Sequence, residues 1–176
     1  MSDAHRSRLP WLAGTLILIG ILARLLPHPW NASPIAAIAL FSGAMLRPRW
    51  GMLVPLAAVA ASDLVLGWHV TIPFTWGSFA LIGALGWWVR SRPDAGRILM
   101  GTVAGSCVFF LVTNFGVWAL HPDWYPHSPA GLWQCYAAAV PFFRATLAGD
   151  LVYAAALFGG YAWATRPRAF QPAGAR

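Results

Sequence analysis

Long apolar stretches separated by short polar segments run through this chain, and most have the length of a membrane-spanning helix. A helix rises about 1.5 Å per residue, so a hydrocarbon core of about 30 Å needs about 20 apolar residues. The pattern predicts a single membrane domain over residues 1–176, an all-α integral membrane protein built as a six-transmembrane-helix bundle. The predicted spans cover residues 11–26, 34–46, 51–68, 72–89, 98–120 and 142–165.

The second of these spans is short. At about 1.5 Å per residue, residues 34–46 extend only about 20 Å. Such a helix crosses the bilayer if the bilayer thins around it. Alternatively, the turn at residues 31–33 lies at membrane depth and is covered by protein. The sequence leaves both explanations open.

The last apolar run, residues 131–165, is too long for one straight span, and it contains Pro141. Proline removes a helical hydrogen bond, and its ring clashes with the preceding turn. We therefore predict a broken last helix, with an interfacial segment over residues 131–140 followed by the sixth span.

The arginine positions support six spans and predict their direction. All twelve basic residues are Arg, and the loops at residues 27–33, 68–71 and 121–130 contain none of them. Cytoplasmic loops of membrane proteins carry the excess of Lys and Arg. The pattern therefore predicts that both termini are cytoplasmic and that the protein lies in a bacterial inner membrane. Ten arginines mark the predicted cytoplasmic side: Arg6, Arg8, Arg47, Arg49, Arg90, Arg92, Arg97, Arg166, Arg168 and Arg176.

The composition agrees with a membrane protein and excludes two other classes. Hydrophobic residues make up 59% of the chain and charged residues 10%, with a mean hydropathy of +0.59. A soluble domain has about 25% charged residues, and a disordered chain has low hydrophobicity. The net charge of +7 does not indicate nucleic acid, because the arginines are scattered between apolar runs. The predicted surroundings are therefore the lipid bilayer.

Four polar residues interrupt the predicted spans: Asp63, Asn114, Arg144 and Asp150. Charges are costly in hydrocarbon, so such residues usually face the bundle interior and find partners. With the directions assigned above, all four fall in the outer half of the bundle. One interpretation is a structural network in which Arg144 pairs with Asp63, and the other is a solute-binding cavity open to the outside. Arg24 either reaches the headgroups or belongs to an anionic ligand site.

The predicted outer loops combine aromatic side chains with four of the five histidines. An interfacial belt of aromatic and polar groups accounts for this composition. A ligand or metal site at the outer mouth is the alternative, because imidazoles are common metal ligands. The weak metal candidates are Cys135, His28 and His127. The loop residues concerned are His28, Trp30, Asn31, His69, His121, Asp123, Trp124, Tyr125 and His127.

Motifs of enzymes and nucleotide-binding proteins are absent from the sequence. It contains no phosphate-binding glycine loop, no H-E-x-x-H and no G-x-S-x-G, and we expect no cofactor. An intramembrane enzyme would need an activated nucleophile with a base. Cys135, with His127 in the preceding loop, is the candidate pair. The two cysteines, Cys107 and Cys135, form no disulfide framework.

Six short segments carry specific motifs: residues 27–37, 40–43, 113–118, 131–136, 141–144 and 149–151. These motifs resemble a family of small, uncharacterised bacterial membrane proteins. More distantly, the size and topology are similar to the S components of energy-coupling factor vitamin transporters and to their solitary cobalamin-transporting relatives. This second resemblance implies a six-helix protein that binds a vitamin in its outward half, with Cys135 as the candidate cobalt ligand. Helix one lacks the Ala-x-x-x-Ala pattern with which S components dock their partner.

The function predicted from the sequence is the binding of a small solute in the outer half of the bundle and its uptake across the inner membrane. One alternative is an accessory or assembly subunit that contacts another membrane protein. An intramembrane enzyme is the other. The predicted ligand-binding residues are Asp63, Asn114, Arg144, Asp150, Asn31, Trp30, Trp118 and Tyr136.

Overall fold

Six α-helices make up the described chain. The computed structural model describes residues 3–26, 33–46 and 48–165, with side chains from residue 10 onward except at positions 48 and 49. The prediction of an all-helical chain with six helices is confirmed for these ranges. The helices are α1 (Asp3–Leu25), α2 (Ile35–Met45), α3 (Pro48–Leu66), α4 (Ile72–Arg90), α5 (Ala95–Leu120) and α6 (Pro129–Ala164).

Three of these helices, α4, α5 and α6, are long and apolar enough to cross a membrane. The other three contain shorter apolar segments, Pro10–Leu25, Ile35–Met45 and Trp50–Leu66. Large apolar side chains on the outside of the bundle, such as Trp11 and Leu64, are exposed. Extensive exposed apolar surface of this kind is typical of a protein that faces lipid.

Contacts between helix ends show that α1 runs parallel to α3 and that α2 runs parallel to α4, so the chain alternates in direction along the bundle. Arg24, near the end of α1, contacts the last turns of α3. At the opposite end of the bundle, Arg90 of α4 donates a 2.6 Å hydrogen bond to the carbonyl of Leu46, just after α2. Arg92 and Arg97 lie at this same end, which we call the arginine end. The loops before α4 and between α5 and α6 lie at the other end.

The short second helix is confirmed, and it lies in the centre of the bundle. α2 has 11 residues, and every side chain from Ile35 to Ala44 is buried. It packs against α3, α4, α5 and α6 and touches α1. An apolar helix can be buried on all sides because it satisfies its own backbone hydrogen bonds. Its one hydroxyl, Ser42, donates to the carbonyl of Ile38 in the preceding turn.

α2 begins well inside the bundle. Ala36, in its first turn, lines the same cavity as Phe109 of α5. Phe109 stands 11 residues before Leu120, the last residue of α5, which is about 16 Å at the rise of an α-helix. The turn at residues 31–33, which is one of the two explanations for the short length of α2, lies mostly outside the described residues.

Glycines bring α2, α3 and α4 into backbone contact. A Cβ on Gly43 of α2 would collide with the carbonyl oxygen of Gly83 in α4. A Cβ on Gly51 of α3 would lie 2.7 Å from the Cα of Gly43. Gly86 of α4 would bring a Cβ to 2.5 Å from the carbonyl oxygen of Leu40. Three helices therefore cross at a point where only hydrogen fits, as is common where membrane helices pack closely.

The prediction of a broken last helix is wrong. α6 is a single helix of 36 residues, Pro129–Ala164, that continues through Pro141. A proline removes one backbone hydrogen bond, and membrane helices tolerate this because the freed carbonyl finds another partner or the helix adjusts locally. The hydrogen bonds on both sides of Pro141 and the packing along α5 therefore outweigh the local cost.

We expect that Pro141→Ala leaves the fold intact and raises the unfolding temperature in detergent. Alanine restores the missing backbone N–H, and proline in a helix interior costs about 3 kcal/mol relative to alanine in soluble hosts. Pro141 is exposed, so its replacement leaves no cavity. A lower unfolding temperature for Pro141→Ala would show instead that the protein depends on a bend at this position.

Candidate functional site

A buried ion pair connects α1 with α3. The Nη2 of Arg24 lies 2.7 Å from Oδ1 of Asp63, whose side chain is 1% exposed. The other guanidinium nitrogen, Nη1, donates to the hydroxyl of Ser62 at 2.9 Å. Trp76 of α4 donates from its indole nitrogen to Oδ2 of Asp63 at 2.8 Å. Asp63 therefore ties three helices together, and its charge is balanced by Arg24.

The predicted pairing of Arg144 with Asp63 is wrong. Arg144 is exposed on α6, and it makes no ion pair within the described ranges. α6 packs against α5 and α2, while α3 lies on the other side of α2. The central helix therefore separates the two residues. Arg24, for which we expected either the headgroups or an anionic ligand, turns inward and supplies the charge.

A cavity of about 170 Å³ lies beside the first turn of α2. We call it the central cavity. Phe79 of α4 and Phe109 of α5 form apolar walls, and their ring centroids are 5.1 Å apart. The cavity also has a polar lining, which comes from α1, from the segment just before α2, from α4 and from α6. The polar residues that line it are Arg24, Ser33, Thr75, Thr146 and Asp150.

Asp150 is the second buried carboxylate of the bundle, with a side chain that is 2% exposed. The hydroxyl of Ser106 in α5 donates a 2.6 Å hydrogen bond to its Oδ2. In the part of the chain that the structure describes, no Arg or His forms an ion pair with Asp150. Asp63 has a cationic partner and Asp150 has a hydroxyl, so the two carboxylates of the sequence prediction have different surroundings.

A second cavity, of about 210 Å³, lies between α5 and α6 and shares Phe109 and Thr146 with the central cavity. We call it the side cavity. Its polar lining includes Thr113 and Asn114, and the amide nitrogen of Asn114 donates to the carbonyl of Phe110 at 2.8 Å. Phe109 and Thr146 form the boundary between the two cavities.

Trp118 and Tyr136 fasten α5 to the following loop and to α6. The indole nitrogen of Trp118 donates to the carbonyl of Pro126 at 2.9 Å, and a ring nitrogen of His127 lies 3.0 Å from the carbonyl of Trp118. The hydroxyl of Tyr136 donates to the carbonyl of Leu111 at 2.8 Å. Neither aromatic side chain lines the two cavities. Their contacts give them a structural role.

Cys135 is buried on α6, and its thiol lies 3.4 Å from the backbone carbonyl of Asn114. His127 is engaged with Trp118, so the structure does not bring this thiol and this imidazole together. Among the residues that the structure describes, no three His, Cys, Asp or Glu side chains cluster as metal ligands would. His28, Trp30 and Asn31, three of the predicted site residues, lie outside the described residues.

The structure therefore places two predicted site residues, Asp150 and Asn114, at cavities. Asp63 lies behind the central cavity, where it holds Arg24. The sequence prediction did not single out the hydroxyls of Ser33, Thr75 and Thr146. Serine and threonine are common in membrane helices because they can bond to their own helix backbone. Their presence in the sequence alone therefore carried no signal of a site.

Comparison with curated proteins found no match, and neither did comparison with solved structures. One family model matches residues 5–173, which is nearly the whole chain and all six helices of the bundle apart from the first residues of α1. The chain therefore belongs to DUF6580, a family of unknown function.

Proposed function

We propose that this protein binds a small solute in the central cavity and mediates its uptake across the bacterial inner membrane. One observation carries this proposal: a cavity lined by charged and hydroxyl side chains lies inside a bundle whose core is mainly apolar. Polar and charged groups are costly within a membrane and usually mark a ligand or ion pathway. The Arg24, Thr75 and Asp150 side chains come from three different helices, yet all line the same cavity.

The depth of the cavity also supports uptake. Phe109 lies 14 residues after Ala95, the first residue of α5, and 11 residues before Leu120. At the rise of a helix, the cavity is about 21 Å from the arginine end and about 16 Å from the other end. If the arginine end faces the cytoplasm, as the positive-inside rule requires, the solute reaches the cavity from outside.

The position of α2 fits a transport protein. Transporters often bind their substrate near the middle of the bilayer, beside helices that begin or end there. α2 begins next to the central cavity, and Ser33 accepts a 3.4 Å hydrogen bond from the backbone N–H of Ile35. The resemblance to S components also points to a six-helix protein that binds its solute in the outward half. We therefore propose S-component-like uptake.

Filling the cavity tests this function. Thr146 lines both the central and the side cavity. We expect that Thr146→Phe fills the space between them and abolishes solute binding while the protein stays folded. The measurement is mass spectrometry of small molecules released from protein purified out of bacterial membranes. A solute should be enriched with the wild type and missing from the Thr146→Phe extract.

Thr15→Phe is the matched control. Thr15 is an exposed residue of α1, and its hydroxyl donates to the backbone carbonyl four residues earlier, as that of Thr146 does. The Thr15→Phe protein should release the same solute as the wild type. Identical extracts from all three proteins would contradict the proposal. A stoichiometric membrane protein that co-purifies with all three would then favour an accessory role.

A further inference from the structure

We infer that the solute carries a positive charge and that the carboxylate of Asp150 binds it in the central cavity. The inference rests on the proposed function and deepens it by naming the class of solute, a small organic cation such as an amine. It follows from the partners of the two charged residues that line the cavity, Arg24 and Asp150.

Arg24 already has its counter-ion. Asp63 lies 2.7 Å from Nη2, and Nη1 is directed at the Ser62 hydroxyl and, at 3.4 Å, at the carbonyl of Val59. An anionic solute would have to compete with a carboxylate that is already buried against the guanidinium. The Arg24–Asp63 pair therefore adds no net charge to the cavity.

Asp150 has no cationic counter-ion among the described residues. Ser106 is its hydrogen-bond donor, and on the side away from the cavity its neighbours include Ala37, Leu40 and Ile82. Across the described ranges, neither α2 nor α5, the helices packed against α6, places a charged side chain at Asp150. A buried carboxylate without a cation is costly, so a cationic solute that pairs with it relieves this cost.

Two of the three hydroxyls that line the cavity, those of Thr75 and Thr146, offer acceptors. Thr75 and Thr146 use their protons within their own helices, where they donate to the carbonyls of Thr71 and Phe142. A hydroxyl has one proton and two lone pairs, so these oxygens accept from a solute while their own helix bonds are kept. An ammonium group, which donates and does not accept, matches this lining.

The two phenyl rings favour the same charge. Phe79 and Phe109 line the cavity, and an aromatic face attracts a cation that lies within about 6 Å of the ring centroid. The N-terminus of α2 acts against a cation, with about half a positive charge. This partial positive charge is smaller than the full negative charge of Asp150. The net charge of the described groups around the cavity therefore stays negative.

Three probes of similar size and different charge test the inference: n-butylammonium, n-butanol and n-butyrate. Their binding to the purified full-length protein in detergent is followed by calorimetry. We expect n-butylammonium to bind at least tenfold more tightly than the other two. Asp150→Asn should remove this preference. Asp94→Asn, which changes an exposed carboxylate and keeps a side chain that can cap α5, should retain it.

Two further variants guard against a folding defect. Asp150→Glu keeps the negative charge and should retain the preference for n-butylammonium, and Ser106→Ala leaves the carboxylate in place and should retain it too. Equal or tighter binding of n-butyrate or n-butanol to the wild type would overturn the inference, as would no measurable binding of n-butylammonium. If the solute released from the wild type in the Thr146→Phe comparison is neutral or anionic, the inference of a cationic solute is overturned but the proposed function stands. If the wild type releases no solute at all, the proposed function itself is overturned.

Discussion

Asp63→Asn is expected to lower the free energy of unfolding by about 3–5 kcal/mol, because it leaves the guanidinium of Arg24 buried without its counter-ion. The Arg24 side chain is 17% exposed and cannot recover full hydration where it stands. Asparagine keeps a side-chain oxygen that can accept a hydrogen bond from the indole of Trp76. The loss of unfolding free energy therefore measures mainly the removal of the negative charge. The measurement is chemical or thermal unfolding of the purified protein in detergent.

The double variant Arg24→Gln/Asp63→Asn separates charge from packing. It removes both charges and keeps two amides that can bond to each other. Its loss of unfolding free energy should therefore be smaller than the sum of the losses caused by the two single substitutions. Arg92→Gln is the matched control. Arg92 pairs with Asp94 at 3.1 Å, but both side chains are exposed. Exposed pairs contribute only about 0–1 kcal/mol, so a loss as large as that of Asp63→Asn would contradict this account.

Gly43→Ala is the second substitution with a large expected effect, a loss of at least about 3 kcal/mol or failure to fold. The new Cβ would collide with the carbonyl oxygen of Gly83 and would also meet Gly86. Overpacking usually costs about 1–3 kcal/mol, and it costs more when the obstacle is backbone that cannot rotate away. The central helix and α4 would have to move apart. Size-exclusion chromatography and thermal unfolding in detergent measure the outcome.

Gly77→Ala, in the same helix α4 as Gly83, is the control for the glycine substitution. A Cβ at Gly77 would meet nothing within 4 Å. Alanine there should leave the fold unchanged and add about 0.5–1 kcal/mol of stability, since glycine is the weaker helix former. Equal losses from Gly43→Ala and Gly77→Ala would show that the crossing of α2, α3 and α4 is not what makes Gly43 necessary.

The site was predicted less completely than the fold. Asp150 and Asn114 could be singled out because a charged or amide side chain stands out in an apolar span. Arg24 and Asp63 also stood out, but the sequence did not predict that they pair with each other. The choice of Arg24 over Arg144 for Asp63 depends on which helices are neighbours, and α2 lies between α6 and α3. The hydroxyls of the cavity lining carry no signal at all until the helices are assembled.

The sequence by itself determined the helical class of the chain and the number of its helices. Both follow from hydropathy and length, which are properties of each segment alone. The tertiary structure decided that α2 is central and begins beside a cavity and that α6 continues through Pro141. It also decided that Asp63 is paired with a cation, whereas Asp150 has no cationic partner among the described residues. These features depend on contacts between segments far apart in the chain. Hydropathy does not encode which apolar faces meet, and in this bundle glycines and a buried ion pair select the contacts.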